Sequence, residues 1–284
     1  MLSIGRFDVC LRSALPRVAR GIELLYADYP VAQGDGLVDF PVEVCVPGLI
    51  RRWIRPQVVF SFDGRMPFKP LPGAQAFAMF EWGLNWCIAN HAHQFLVVHA
   101  GVVERYGRAL ILPGTPGSGK STLCAALVSR GWRLLSDEMA LISLSNGLLT
   151  PVPRPISLKN ASIDVIRRFA QGVVIGDVAR DTVKGSVAHM RVPRQSIEAS
   201  GDQAIPAAVI FPRYQHGAET RLSALSKGRT LMKVAENSFN YHILGLAGFG
   251  RLADTIERCD CYEFVYQHLD EAVAIMEQIA SNGR

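Results

Sequence analysis

Ala109-Leu-Ile-Leu-Pro113 is a short apolar run that opens directly into Gly114-Thr115-Pro116-Gly117-Ser118-Gly119-Lys120-Ser121-Thr122. The run predicts a strand bounded by turn residues, and residues 121–130, stopped by Gly131, predict a helix. A glycine-rich loop between strand and helix is the context that the G-x-x-x-x-G-K-[ST] spacing requires. The glycines let the backbone curl so that successive N–H groups and the helix N-terminus face anionic oxygens. Lys120 then reaches the β- and γ-phosphates, and the Ser121 hydroxyl is placed to hold Mg²⁺. Nucleotide contacts are expected from Gly114 through Thr122. Such a loop does not by itself separate an ATPase, a GTPase, a kinase or a switch.

Downstream of the helix, Trp132-Arg-Leu-Leu-Ser136 reads as a second strand and ends in Asp137-Glu138. Two adjacent carboxylates beside a nucleotide's Mg²⁺ can divide the work: one holds the metal, the other takes a proton from an attacking hydroxyl. Further along, Lys159, Lys184 and Arg191 fall in segments without clear periodicity, where a cation can neutralise charge on a transferring phosphoryl group. Lys159 is the first choice. Only six lysines stand at 69, 120, 159, 184, 227 and 233 among 30 basic residues, so a lysine in a loop stands out. Gly245-Leu-Ala-Gly-Phe-Gly250 has no strand before it and is read as helix packing, not as a second phosphate loop.

The rest of the chain frames this core. Period-two alternation predicts strands at residues 7–11 and 38–46, and residues 57–62 read as a third; helical spacing covers 15–29 and 74–90. Residues 1–90 are therefore expected to be a small α+β module and residues 91–284 the P-loop domain. In that second part, strands are expected at 95–99, 139–144, 207–211, 221–225 and 262–266, and helices at 161–169, 227–237 and 268–279. Asn146-Gly147 reads as a hairpin turn, and 172–190 is expected to be irregular. His91, His93, His189 and His242 are read as structural.

With 49% hydrophobic and 19% charged residues, the 284-residue chain is globular, which excludes disordered, collagen-like and coiled-coil classes. The net charge of +5 is spread along the sequence, so no nucleic-acid partner is expected. Cys259 and Cys261 have no second closely spaced cysteine pair to complete a zinc site. Neither a leader-like start nor a membrane-length apolar run is found, so a cytoplasmic location without a membrane partner is expected.

His99-Ala-Gly-Val-Val-Glu104-Arg-Tyr106-Gly107, the P-loop, and Arg133-Leu-Leu-Ser-Asp137-Glu138 together resemble the kinase core of bacterial HPr serine kinase/phosphorylase. There a histidine, a tyrosine-glycine hairpin, a P-loop and an acidic pair occur in the same order. The whole chain is similar to the HPr-kinase-related kinase A group. That likeness covers Arg52-Trp53, Phe60-Ser-Phe-Asp-Gly64, Glu81-Trp82-Gly-Leu-Asn-Trp86, Pro155-Ile-Ser-Leu-Lys-Asn160, Lys184-Gly-Ser-Val-Ala-His189 and Asn237-Ser-Phe-Asn-Tyr241. The resemblance implies an α/β (α+β) fold with an HPr kinase/PEP carboxykinase-like mixed sheet and flanking helices. It also implies ATP and Mg²⁺ as cofactors and phosphoryl transfer to a serine. Asp137 matches the base, Glu138 the second acid near Mg²⁺, and His99 the active-site histidine.

Two departures qualify these implications. Thr122 stands where a glutamate usually follows the P-loop serine, and the glycine-arginine segment tied to phosphorolysis is not apparent, so phosphorylase activity is not expected. The first ninety residues do not resemble that enzyme's N-terminal domain, so HPr is not the expected acceptor. The favoured reading is an ATP-dependent kinase acting on a protein or peptide hydroxyl. The alternatives are a small-molecule hydroxyl kinase and a non-catalytic nucleotide sensor in a biosynthetic complex. A homo-oligomer is compatible with each.

Overall fold

The computed structural model describes residues 1–32, 37–48 and 56–281. Arg52-Trp53, one segment of the likeness above, lies outside them. The first five strands, β1 (Leu2–Ile4), β2 (Phe7–Arg12), β3 (Phe40–Cys45), β4 (Gln57–Phe62) and β5 (Leu71–Pro72), form a sheet in that order. In β3 the alternation is realised directly: Phe40, Val42 and Val44 are buried while Pro41 and Glu43 face out. Helix α2 (Ala76–His91) packs against this sheet, and α1 (Pro16–Leu25) packs on α2. The helix expected over 15–29 ends early. Tyr26 and Tyr29 keep the apolar spacing because both rings are buried, but their hydroxyls leave the helix path to bond Glu81 Oε1 at 2.6 Å and the Pro153 carbonyl at 3.0 Å.

The chain then lays down β6 (Phe95–Val98), β7 (Ala100–Arg105), β8 (Arg108–Pro113), α3 (Lys120–Ser129), β9 (Arg133–Ser136), β10 (Ala140–Ser143), β11 (Leu149–Thr150), β12 (Ile156–Lys159) and α4 (Ala161–Phe169). It continues through β13 (Ala179–Thr182), β14 (Gly185–Met190), α5 (Arg194–Glu198), β15 (Ile205–Tyr214), β16 (Arg221–Ala224), α6 (Lys227–Glu236), α7 (Tyr241–Arg258), β17 (Asp260–Tyr266) and α8 (Leu269–Ser281). The fold is mixed α/β, and its central sheet has the order β16-β17-β15-β8-β7-β9. Strands β8, β15 and β17 are parallel, whereas β7 runs antiparallel to both of its neighbours.

The reversal at β7 assembles the site. Strands β8 and β9 end at the same sheet edge, and β7 begins there, so the P-loop, Asp137-Glu138 and His99 converge. Tyr106-Gly107, both at positive φ (58° and 75°), supplies the tight β7–β8 turn. Residues 172–190 are not irregular: β13 and β14 pair, and β14 pairs with β12 in a small antiparallel sheet. The β13 sequence Ala-Arg-Asp-Thr carries little apolar signal, and Asp181 at φ 53° interrupts its register. The glycine-rich stretch near Gly245 lies within α7, which is kinked at Gly245 and packs on α6. No helix of the described residues is long and apolar enough to cross a membrane.

Candidate active site

The P-loop is pinned from below by the two parallel strands beside it. The Tyr214 N–H donates to the Ser118 carbonyl at 2.8 Å, and Tyr266 Oη donates to the Gly119 carbonyl at 2.9 Å. Gly119 sits at φ 89°, and a Cβ there would lie 2.5 Å from Tyr266 Oη, so both conformation and space demand glycine. Helix α3 starts at Lys120 with no acidic residue in its first turn. Its free N–H groups and positive pole therefore face the loop uncompensated.

Beneath the loop, β7 passes so close that a Cβ on Gly101 would meet Cys124 Sγ at 2.5 Å, with Lys120 Cγ and the Asp137 carbonyl each 3.5 Å away. His99, just before β7, has Nδ1 3.0 Å from the Glu138 carbonyl and Nε2 3.4 Å from Lys120 Nζ. A carbonyl only accepts, so Nδ1 carries the proton and Nε2 accepts from the ammonium. Burial, reinforced by Lys120, pulls the His99 pKa down to about 4 and keeps the ring neutral.

The two carboxylates are split by their surroundings. Asp137 is 4% exposed; its Oδ2 accepts the Ser157 N–H at 2.9 Å, and Oδ1 has no protein partner. Burial, with the Glu138 charge adding to it, pushes Asp137 above the usual carboxylate range against the pull of Lys120 and Lys159. Burial pushes Glu138 the same way, but Lys120 and Lys159 outweigh it and hold Glu138 below its usual range. Lys159 Nζ lies 3.5 Å from Glu138 Oε1.

A cavity of about 750 Å³ is lined by His99, Thr115 to Thr122, Glu138, Ser157, Lys159 and Lys184. Asp137 lies one layer behind it, between Glu138 and Ser157. Gly114 faces a second cavity, about 930 Å³, across the loop. Lys184 sits over the Trp82 ring, Nζ 5.9 Å from the centroid, and burial followed by Lys159 lowers its pKa. Arg191 stands apart: it pairs with Asp28 at 2.5 Å and does not line either cavity. Its charge is spent joining β14 to the N-terminal unit, a partner 163 positions away that no local pattern reveals.

Two residues gained no role from the sequence. Ser157 Oγ is buried without a partner in the cavity wall. Asn160 adopts φ 51°, ψ −127°, a region costly for any side chain. Its amide donates to the Lys184 carbonyl at 3.2 Å and accepts the Ser186 N–H at 3.0 Å, clamping the β13–β14 hairpin over the cavity. Neither position has a local signal beyond ordinary turn chemistry.

Ser118 Oγ, Asp137 Oδ1 and Ser157 Oγ are all buried and unpaired. Buried polar atoms are nearly always satisfied, so three orphans around a glycine-rich anion cradle fit a ligand rich in oxygen and charge. A nucleotide triphosphate with Mg²⁺ meets that description. Among the described residues no group of three or more His, Cys, Asp or Glu side chains could hold a metal ion.

No family model matches the chain. Over 52 residues it is 38% identical to the HPr kinase/phosphorylases of two strains of Treponema pallidum, one of them the Nichols strain. That stretch is 18% of this chain and spans only 16% of the length of those relatives. Among solved structures, the Hpr(Ser) kinase/phosphatase from Coxiella burnetii is similar at a TM-score of 0.29 and 13% identity, over 66% of this chain and 95% of that one.

Proposed function

We propose that the protein is an ATP-dependent kinase of the HPr-kinase-related kinase A type, transferring a γ-phosphoryl group to a hydroxyl, in first place a serine of a protein or peptide in the cytoplasm. The observation that carries this reading is the placement of two adjacent carboxylates beside the P-loop lysine, Glu138 Oε1 3.5 Å from Lys159 Nζ and Asp137 Oδ1 buried without a partner, because such a pair can divide metal holding from proton acceptance. A nucleotide sensor needs the cradle but not this division.

In this account the loop N–H groups, Lys120 and Lys159 bind the phosphates and offset the charge that develops during transfer. Mg²⁺, which Ser121 and Glu138 would hold, adds further charge neutralisation when bound. Asp137 Oδ1, unpartnered just behind the Glu138 and Ser157 wall, takes the proton of the acceptor hydroxyl through a bridging water or once that wall shifts on acceptor binding. The hydroxyl oxygen forms its bond to the γ-phosphorus while the bond to the β–γ bridging oxygen breaks, releasing ADP. An elevated proton affinity suits Asp137 to this role, since a base is most effective when its pKa approaches the working pH. His99 stays neutral and orients the Lys120 ammonium.

The test is incubation with γ-labelled ATP, Mg²⁺ and proteins encoded nearby, followed by mass spectrometry. Label on a serine of one of them supports the reading, label on a small molecule moves the acceptor class, and nucleotide binding without any transfer favours the sensor.

A further inference from the structure

Reading the P-loop as an ATP cradle places a triphosphate but leaves its base without a seat. The cavity has two ends. One is the Lys120, Glu138 and Lys159 cluster; the other lies between the end of α4 and the turn from β17 into α8, where Val165, Phe169, Leu269 and Asp270 meet Arg130 from the end of α3. The Arg130 guanidinium lies over the Phe169 ring, 4.7 Å from its centroid, and Nη2 donates to Asp270 Oδ1 at 2.9 Å. Arg130 thereby bridges two helices and presents a flat cation–aromatic surface in the cavity lining. Stability does not account for it: Arg130 and Asp270 are 49% and 79% exposed, and such pairs contribute little.

The sheet order gives this end its meaning. Strand β9, carrying Asp137-Glu138, lies on one side of the P-loop strand β8, and β15 and β17 lie on the other. With transfer occurring toward β9, the remainder of the nucleotide extends over the carboxyl ends of β15 and β17, whose last residues Tyr214 and Tyr266 line the same cavity. The Phe169 and Asp270 surface is where that path ends.

We infer that Arg130, Phe169 and Asp270 form the nucleobase subsite, and that it takes a purine. The base stacks on the Arg130–Phe169 platform, and an exocyclic amino group or ring N–H donates to the second Asp270 oxygen. A broad π-face gains more from such a platform than a pyrimidine does. The inference rests on the ATP-cradle reading, and the experiment separates the two.

Calorimetric titration with ATP, UTP and inorganic tripolyphosphate, each with Mg²⁺, is carried out on wild type and on Phe169→Leu, Arg130→Ala and Lys120→Ala. Phe169→Leu keeps most of the packing volume and removes the π-face. Both subsite variants are expected to bind ATP about tenfold more weakly and tripolyphosphate unchanged, whereas Lys120→Ala weakens both. Subsite variants that bind ATP like wild type, or that lose both ligands in parallel, overturn the inference while leaving the cradle standing. UTP binding as tight as ATP overturns the purine assignment, and a wild type that binds neither triphosphate overturns cradle and subsite together.

Discussion

At the level of single residues, Lys120, Ser121, Asp137 and Glu138 each belong to a local pattern in the sequence, and the fold brings them to the same end of the central sheet. What no pattern states is how far burial will move a proton. His99 is the active-site histidine by resemblance, yet burial holds its pKa down to about 4 and leaves it neutral across the working range. His99→Gln should slow transfer about tenfold by loosening Lys120, while the pH at which the rate falls on the acid side stays where it was. A displaced acid limb would return His99 to the proton-transfer step. Asp137 has the opposite consequence. A folded-state pKa raised above the unfolded value means that the native protein holds the proton more tightly, so stability declines as pH rises from the unfolded toward the folded pKa. Asp137→Asn should therefore be more stable than wild type at neutral pH, with the gain vanishing in acid below the ordinary aspartate range. A variant that is less stable at neutral pH contradicts the burial argument.

Among elements, the strand–loop–helix unit and the carboxyl-terminal strands were visible as apolar runs between breakers. The β12–β14–β13 sheet was not, because β13 is polar and its pairing depends on the clamp at Asn160, a tertiary feature. The strained Asn160 backbone persists only because its amide satisfies two groups of the neighbouring hairpin. Asn160→Ala should free Lys184 from its position and raise the KM for ATP several-fold. Asn160→Asp retains the bond from the Ser186 N–H and should lose less. Steady-state kinetics on the two variants checks the order, and equal effects would show that the clamp does not set Lys184.

Across the whole molecule, one hydrophobic cluster runs from Leu2 and Ile4 through Phe80 and Leu84 to Leu123, Leu158 and Met276. This cluster holds residues from both sides of the boundary expected near residue 90. Glu81 of α2 pairs with Arg154 at 3.4 Å, both nearly fully buried, and burial raises Glu81 to about 6 despite that arginine. The same arginine bonds Asn85, so the N-terminal unit grips the proline-rich segment that leads into β12 and Ser157. Composition and periodicity gave no hint of this pair, since its members are 73 positions apart. Arg154→Ala strands a buried carboxylate and should cost about 3–5 kcal/mol in urea unfolding; a loss under about 1 kcal/mol would mean that water reaches the pair. The measurement that bears most directly on the central claim is phosphoryl transfer by Asp137→Asn set beside its ATP affinity. The account predicts transfer reduced at least a thousandfold with ATP bound as in wild type; full transfer by this variant would contradict it.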